Sequence, residues 1–374
     1  MAFYSHLLRN VRQVLFRDAD QHAIPSMDGP LSPNSELDAF APVFDELTQV
    51  DDVIVGPDGC YVANGREVLL VSRADGSRTV IARFEARCGA LALHPDYRVL
   101  VCVAGSGLAA VRADGEIVWL TKAGDASLNC LTAVAVAPDG AIVLANGSSR
   151  HAAADWLWDL MENNACGRIV VCDAGLGDAR VLFDRLAWPH GVAFSADGRS
   201  LWFSESWTHR VSRTPWPPTA AGNREIVIGN LPGYPARLRA TADGGFWLAL
   251  FALRTHLVEL VLTDDGFREE MMATIPPELW IAPQYVSGRS YLEPLQGGGM
   301  RKLGILKPWA PPRSYGFIGH IDGQGEFQRS LQSRVGGRNH GIVSVVETDG
   351  ELLVVSKARG QVLGGQDPDG RKRQ

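Results

Sequence analysis

The stretch PHGVAFSADGRSLWFS, residues 189–204, contains the pattern that decides the fold. Apolar residues alternate with others on both sides of the dipeptide Asp197-Gly198, as they do in β-strands with one buried face. Asp-Gly is a favoured sequence for a tight hairpin turn, because both central residues of such a turn adopt positive φ angles. The stretch therefore predicts two short antiparallel strands joined by a turn.

The same pattern occurs six times along the chain. The other copies begin at residues 51, 89, 132, 236 and 342. Several copies are followed by a second hairpin, for example GLAAVRADGEIVWL at 107–120, so each repeat is interpreted as a four-stranded antiparallel unit. Six such units predict an all-β fold, a six-bladed β-propeller, in which radial repetition protects the strand edges.

The repeats occupy residues 46–365, and the segments around them differ in character. We interpret residues 1–45 as an arm that wraps the propeller or supplies a closing strand, and we expect residues 366–374 to form a flexible tail. The beginning of the arm is an amphipathic helix pattern, consistent with docking on the body of the protein or on a membrane surface or partner. Two long inserts, at 148–167 and 276–316, are typical of lids or binding loops.

The composition is typical of a folded protein, with 46% hydrophobic and 21% charged residues. The formal net charge of −6 and the lack of a basic stripe argue against nucleic acid as a partner. No window approaches the ~20 apolar residues of a membrane span and no signal peptide is evident, so we expect a soluble, cytoplasmic protein. The six cysteines do not have the spacing of a metal site, so we interpret them as small core residues of a protein in a reducing compartment.

The first strand of each propeller blade lies nearest the central channel, so the residues that open these strands converge on one pocket. Counting seven residues back from the turn aspartate of each copy gives the predicted ring: Asp51, Gly89, Thr132, His190, Ala236 and Ile342. Asp52, Arg237 and His340 lie beside it in the sequence. We expect any small-molecule ligand or substrate to bind in this ring.

Three of these residues have the chemistry of a hydrolytic site. His190 carries a ring nitrogen that suits a general base near pH 7, and Asp51 can orient the ring or stabilise its cation. Arg237 adds a fixed cation that can hold a carboxylate or stabilise an oxyanion. The alternatives are structural: a channel histidine satisfied by a backbone carbonyl, and a salt bridge from Arg237 to Asp51 or Asp52.

Five further residues are candidates for contacts with a ligand. They are His340 in a glycine-flanked loop, Thr132 in the ring, Glu205 after a second strand, and the aromatic residues Trp207 and Tyr234. Together with aromatic residues of the second insert, the last two are suited to wall an apolar pocket. Packing or other structural roles are the alternative for each of them.

Two stretches, LAWPHGVAFSADGRSLWFSESWTHRVSR (186–213) and NLPGYPARLRATADGGFWLAL (230–250), resemble the strictosidine synthase-like family. That family belongs with the gluconolactonases and paraoxonases among six-bladed propellers. The stretch KPWAPPRSYGFIGHIDGQGEFQRSLQ (307–332) continues the resemblance in family order. The resemblance covers roughly residues 50–360 and implies the same fold, whereas function transfers poorly within one fold.

The resemblance also implies a calcium site, and this sequence departs from it. Lactonase and paraoxonase relatives hold calcium with an acid from the first blade, asparagines from the middle blades and an aspartate or Asp-Asn pair from the fifth. In this sequence Asp51 occupies the position of the acid from the first blade. Thr132 and His190 occupy the positions of the middle-blade asparagines, and Ala236-Arg237 occupies the position of the Asp-Asn pair. Because calcium prefers roughly six to eight oxygen ligands, we expect no conventional calcium site. A softer metal on the histidines and Asp51 is the alternative.

The plant alkaloid-condensing enzyme of the family uses a glutamate in the last blade, and Val343 stands at that position here. We therefore predict a lactonase-like hydrolase of a small ester or lactone, without a metal or other cofactor. The alternatives are a propeller that binds an anionic small molecule without converting it, and a strictosidine synthase-like condensing enzyme. The sequence leaves the substrate and the oligomeric state open.

Overall fold

The computed structural model describes residues 22–218, 223–290, 292–293 and 313–367, and the backbone of 301–302 and 305–306. The helix predicted at the beginning of the arm and most of the predicted tail lie outside the described residues. Six four-stranded antiparallel sheets contain most of the strands. The first strands of the six sheets contact one another in a closed ring, so the predicted six-bladed β-propeller is confirmed.

Blades 1 to 3 follow one another along the chain, each running from an inner strand to an outer edge strand. The first strand in the chain, β1 (Ala41–Pro42), lies outside them. Blade 1 contains β2 (Val50–Gly56), β3 (Gly59–Asn64), β4 (Glu67–Val71) and β5 (Arg78–Arg83). Blade 2 contains β6 (Cys88–Ala92), β7 (Val99–Val103), β8 (Gly107–Val111) and β9 (Ile117–Leu120). After a small hairpin of β10 (Lys122–Ala123) and β11 (Ala126–Ser127), blade 3 contains β12 (Leu131–Val136), β13 (Ile142–Asn146), β14 (Gly167–Cys172) and β15 (Arg180–Leu186).

Blades 4 to 6 complete the ring. Blade 4 contains β16 (Pro189–Phe194), β17 (Ser200–Glu205), β18 (Arg210–Pro215) and β19 (Glu225–Ile228). Blade 5 contains β20 (Gly233–Ala240) and β21 (Phe246–Leu253), then β24 (Gly316–Ile321) and β25 (Phe327–Ser333) after an insert with the backbone hairpin β22 (Arg301–Lys302) and β23 (Ile305–Leu306). Blade 6 contains β26 (Ile342–Thr348), β27 (Glu351–Ser356), β28 (Gln361–Gln366) and β1.

The strand β1 closes the propeller from the other end of the chain. Ala41 pairs with Gly364, so the arm and the last repeat share the sheet of blade 6. Behind this pairing, the buried side-chain amide of Asn339 donates to the carbonyls of Leu37 at 2.6 Å and Phe40 at 3.0 Å. Hydrogen bonds between distant parts of the sequence therefore hold the ring closed.

The turns between the first two strands differ in detail from the sequence-based prediction. At Asp197-Gly198 only the glycine has a positive φ angle, +68°, and the aspartate instead accepts a hydrogen bond from the backbone N–H of Arg199 at 3.0 Å. Both residues adopt positive φ only in the last copy, at Asp349 (51°) and Gly350 (76°). The aspartate is thus favoured in the other turns for its side-chain acceptor rather than for a positive φ.

Among the described residues, three α-helices interrupt the strands. They are α1 (Trp156–Met161) in the first insert, and α2 (His256–Thr263) and α3 (Asp265–Thr274) after β21, which were not predicted. The side chain of Thr255 caps α2 by accepting from Val258 N at 3.3 Å, and that of Asp264 caps α3 by accepting from Phe267 N at 3.0 Å. None of the helices in the described residues has the length and apolar character that a membrane span requires.

Aromatic pairs pack neighbouring blades together. Phe183 of blade 3 stacks on Phe203 of blade 4 at 5.5 Å between ring centroids, and Trp202 of blade 4 packs on Phe246 of blade 5 at 4.6 Å. All six cysteines are free, and all are buried except Cys166, which is half-buried. The core therefore lies between the blades, and the short inner strands line the axis.

We expect Asn339→Ala to lower the free energy of unfolding by about 1–3 kcal/mol, because it leaves two buried carbonyls of the arm without a donor. Urea unfolding measures this difference. The exposed Asn223→Ala is the matched control and should change it by no more than about 0.5 kcal/mol. Equal stability of the two variants would show that these hydrogen bonds do not hold the arm.

Candidate functional site

A buried guanidinium joins three blades across the axis. Arg237 lies in β20 of blade 5, and its side chain is 7% exposed. Its Nη2 donates to Asp51 Oδ1 at 2.6 Å and its Nη1 to the Asp51 carbonyl at 2.7 Å, in blade 1. Its Nε donates to the carbonyl of Thr132 in blade 3 at 3.0 Å. Three residues of the predicted ring or beside it therefore meet in one place.

A second cation, Lys357, belongs to this group and was not predicted. It follows the last residue of β27, and its ammonium donates to the other carboxylate oxygen of Asp51, Oδ2. The hairpin register explains its position: Ile342, which opens the first strand, pairs with Ser356, which ends the second. The residue after a second strand thus lies beside the ring, and counting only along first strands misses it.

The two cations keep Asp51 ionised. Burial alone would raise the pKa of the Asp51 carboxyl, but Lys357 and Arg237 hold it well below its usual range. Burial would lower the pKa of Arg237, whereas Asp51 and Asp52 raise it above its usual value. We call Asp51, Arg237 and Lys357 the charged triad. One carboxylate and two cations give it one net positive charge at neutral pH.

Behind the charged triad lies a second carboxylate, which is fully buried. Asp52 accepts hydrogen bonds from Arg239 Nη2 at 2.8 Å, Ser344 Oγ at 2.6 Å and Leu91 N at 2.9 Å. These partners belong to blades 5, 6 and 2, and the charge of Arg239 balances that of Asp52. Asp52 therefore connects blades and presents no free charge to the axis.

His190 lies beside the charged triad with a defined tautomer. The Ser206 hydroxyl donates its single proton to the Pro235 carbonyl at 2.7 Å, so towards His190 Nδ1, at 3.3 Å, its oxygen can only accept. The proton of the neutral ring therefore sits on Nδ1. No hydrogen bond joins His190 Nε2 to any group among the residues that the structure describes, so its lone pair is available. Ser206, rather than Asp51, orients the ring, which corrects the predicted role of Asp51.

The surroundings keep this imidazole neutral. Burial and the positive charges of Arg237 and Lys357 lower the pKa of His190 to about 3, although Asp51 acts in the opposite direction. The ring is 7% exposed and lies 5.6 Å from the ring of Phe251. At neutral pH His190 is thus an uncharged hydrogen-bond acceptor, with a basicity well below that of an ordinary histidine.

Aromatic side chains lie on the same side of the axis. Phe251 packs against Trp207 at 6.4 Å, Trp156 at 5.4 Å and Tyr285 at 5.3 Å between ring centroids. Trp156 from α1 also contacts Tyr285 at 5.1 Å, so the two predicted inserts meet here. We call these four residues the aromatic wall. Three of them are only partly buried, and Phe251 connects them to His190.

Two predicted ligand contacts lie close to this group but are buried. The Thr132 hydroxyl donates to the Pro189 carbonyl at 2.7 Å and is buried. Tyr234 is fully buried behind Trp207 and Phe251, and burial raises its pKa well above its usual value. Both side chains support the site from behind and do not line it.

Two other predicted residues have partners within the protein. Glu205 is fully buried, and its carboxylate forms an ion pair with Arg210 at 2.8 Å within blade 4. His340 uses both ring nitrogens, with Nδ1 bonded to Ser314 Oγ at 2.8 Å and Nε2 to the Arg334 carbonyl at 3.0 Å. Burial lowers the pKa of His340 as well. These contacts give both side chains structural roles, which is the alternative that the sequence left open.

The residues present do not fit the calcium that the fold family implies. Both carboxylate oxygens of Asp51 accept from cations, and Thr132 spends its hydroxyl proton on a backbone carbonyl. Calcium would need roughly six to eight oxygens where the structure places the Arg237 guanidinium. In the part of the chain that the structure describes, no group of three His, Cys, Asp or Glu residues is placed to hold a metal.

The position of the condensing glutamate is also apolar in three dimensions. Val343 is 1% exposed within β26 and packs in the core of the propeller. A buried valine cannot transfer a proton, so this site lacks the acid-base group of the plant condensing enzyme.

Comparisons with known proteins agree with the resemblance of the sequence motifs. The sequence profile described as strictosidine synthase matches residues 132–216. Protein STRICTOSIDINE SYNTHASE-LIKE 4 of Arabidopsis thaliana is 30% identical over 165 residues, which cover 44% of this chain and 43% of that protein. Over these residues the chain is similar to strictosidine synthase-like proteins.

An animal protein is similar over a longer part of this chain. Adipocyte plasma membrane-associated protein of Salmo salar is 28% identical over 260 residues, covering 62% of this chain and 61% of that protein. The chain therefore spans less than two thirds of the length of this relative.

Solved structures have the same fold as this chain. A gluconolactonase from Xanthomonas campestris superposes with a TM-score of 0.57 at 14% identity, covering 87% of this chain and 88% of that one. A calcium-binding protein, regucalcin, from Agrobacterium tumefaciens superposes with a TM-score of 0.56 at 17% identity, covering 87% and 93%. At these identities the likeness concerns the fold alone.

We expect Asp51→Asn to destabilise the protein at pH 7 by up to about 3–5 kcal/mol, because it leaves Arg237 and Lys357 facing each other. The pKa of Asp51 is depressed in the folded state, so its contribution is complete above the unfolded-state pKa, near about 4. It is lost as the pH falls through the lower folded-state value. Urea unfolding should therefore give a constant difference from about pH 8 to 5, which shrinks below about pH 4.

Asp125→Asn, at an exposed aspartate, is the matched control and should leave the unfolding curve within about 0.5 kcal/mol of the wild type at each pH. A difference between the wild type and Asp51→Asn that grows as the pH falls would contradict the ion-pair account.

Proposed function

We propose that the protein is a metal-independent hydrolase of a small ester or lactone, with His190 as the general base. The proposal rests on one observation, the pair of hydrogen bonds that Ser206 forms with the Pro235 carbonyl and with His190 Nδ1. Because Nδ1 donates to Ser206, the lone pair on Nε2 stays free to accept a proton from water. The ring is uncharged across the neutral range, which is the form that a base requires.

The charged triad is suited to stabilise the charge that develops on the carbonyl oxygen. Asp51 holds Arg237 and Lys357 beside His190 before any substrate binds. Such fixed donors lower the barrier because they do not have to reorganise during the reaction, and one donor typically contributes about 2.7–4 kcal/mol. Arg237 and Lys357 would thus do the work that a metal ion does in other hydrolases.

The fold is compatible with this reaction. One solved structure with the same fold is described as a gluconolactonase, so a propeller of this kind can host the hydrolysis of a lactone. The charged triad differs from a calcium site, and the chemistry proposed here therefore depends on side chains of this chain alone.

A second candidate function is binding of an anionic small molecule without conversion. The low basicity of His190 and the net positive charge of the triad favour it. In this case Lys357 and Arg237 would act as the binding group, and the aromatic wall would hold the rest of the ligand. The two functions differ in whether turnover is observed.

In a panel of γ- and δ-lactones and short-chain esters, we expect His190→Gln to lower kcat by about 10²- to 10⁴-fold with little change in KM, because it removes the proton acceptor. His151→Gln is the matched control, since His151 bonds Glu162 away from the triad. EDTA should leave the wild-type rate unchanged. Turnover that EDTA abolishes and calcium restores, or a panel without any turnover, would contradict the proposal.

The pH dependence of kcat/KM tests the role of His190 separately. Because the pKa of His190 is lowered to about 3, the base is deprotonated at every pH above that value. We expect kcat/KM, corrected for hydroxide hydrolysis, to be flat between about pH 5 and 8 and to fall only towards about pH 3. An acid limb near the ordinary histidine pKa of about 6.5 would show that another group is the base.

A further inference from the structure

Lys357 has hydrogen-bonding capacity that the residues described by the structure do not use. An ammonium group has three donors, and one of them is directed at Asp51 Oδ2. No other hydrogen bond of Lys357 Nζ is present within residues 22–218, 223–290 and 313–367. Its side chain is 25% exposed, so the remaining donors can be reached from solvent.

The charge balance of the site is also incomplete. Arg237 and Lys357 together carry two positive charges, and Asp51 supplies one negative charge. Asp52 and Arg239 balance each other in the layer behind, and His190 is uncharged at neutral pH. One positive charge therefore remains at a partly buried site, where an anionic group of a ligand can pair with it.

Tyr285 of the aromatic wall lies within electrostatic range of Asp51 and Arg237. Trp207, Phe251 and Tyr285 belong to the aromatic wall, and the charges of Asp51 and Arg237 influence the pKa of Tyr285, which burial raises. A ligand that lies against this wall needs an apolar body as well as a group for the cation.

We propose that the substrate carries a carboxylate group on an apolar body, in addition to its ester or lactone, and that Lys357 binds this carboxylate. A carboxylate accepts from an ammonium and supplies the missing negative charge, so it satisfies both observations with one group. The proposal rests on the proposed function for the reacting ester, but not for the binding of the carboxylate.

Binding of the carboxylate also affects His190. The cations lower the pKa of His190 in the free protein, and a bound negative charge offsets part of that effect. The imidazole therefore becomes a stronger proton acceptor when a carboxylated substrate is present. Lys357 therefore determines the preference for a substrate that carries a carboxylate.

Binding is tested with phenylacetate and phenylacetamide, which have the same shape but differ in charge. We expect the wild type to bind phenylacetate about 10- to 100-fold more tightly in calorimetric titrations. Lys357→Met should abolish this preference and Lys357→Arg should retain part of it, whereas Lys122→Met, at an exposed lysine, should leave it unchanged. Near-ultraviolet circular dichroism establishes that the variants are folded.

Turnover is tested with 5-oxotetrahydrofuran-2-carboxylate and the corresponding carboxamide, two lactones that differ only in the charged group. We expect a KM about tenfold or more lower for the carboxylate, and loss of this difference in Lys357→Met. Equal binding of phenylacetate and phenylacetamide, or a preference that survives in Lys357→Met, would overturn the inference. Preferential binding of phenylacetate without turnover of either lactone would support the inference and overturn the proposed hydrolysis.

Discussion

The site depends on the ion pair between Arg237 and Asp51 at the axis of the propeller. One guanidinium bonds the inner strand of blade 1 through Asp51 and that of blade 3 through the Thr132 carbonyl, although it belongs to blade 5. The channel of a propeller is the place where its blades come closest, so a group fixed there restrains several inner strands at once. The same contacts hold the second oxygen of Asp51 in reach of Lys357.

This chain shares its fold with solved propeller structures, but the side chains at its axis are particular to it. The scaffold is the six-bladed propeller that the solved lactonase structures also have, and it brings the ends of six inner strands together regardless of their residues. In this chain those positions supply a guanidinium, an ammonium and a neutral imidazole instead of a set of oxygen ligands. A family resemblance therefore predicts where the site lies better than it predicts the reaction.

Sequence reasoning succeeded where the relevant forces are local. Alternating apolar residues and aspartate turns specify each blade, and the repeat register predicted that Asp51, His190 and Arg237 lie near the axis. The failures concern side-chain partners that no local pattern identifies. Lys357 lies 306 residues from Asp51, and its place depends on the hairpin register of the last blade. The sequence made Glu205 a candidate, but the structure shows its carboxylate in a buried ion pair with Arg210. No local sequence pattern distinguishes a free carboxylate from a paired one.

The low basicity of His190 follows from the arrangement that makes the charged triad possible. Burial and two nearby cations lower its pKa, and only the contribution of the cations can be reversed by a ligand. A neutral ligand displaces water but leaves both cations uncompensated, so it cannot raise the basicity of the ring. An anionic group does so, and its effect is strongest when it approaches Lys357 without displacing Asp51, because Asp51 already acts in the same direction. The basicity of His190 is therefore coupled to the charge of any molecule that binds beside it.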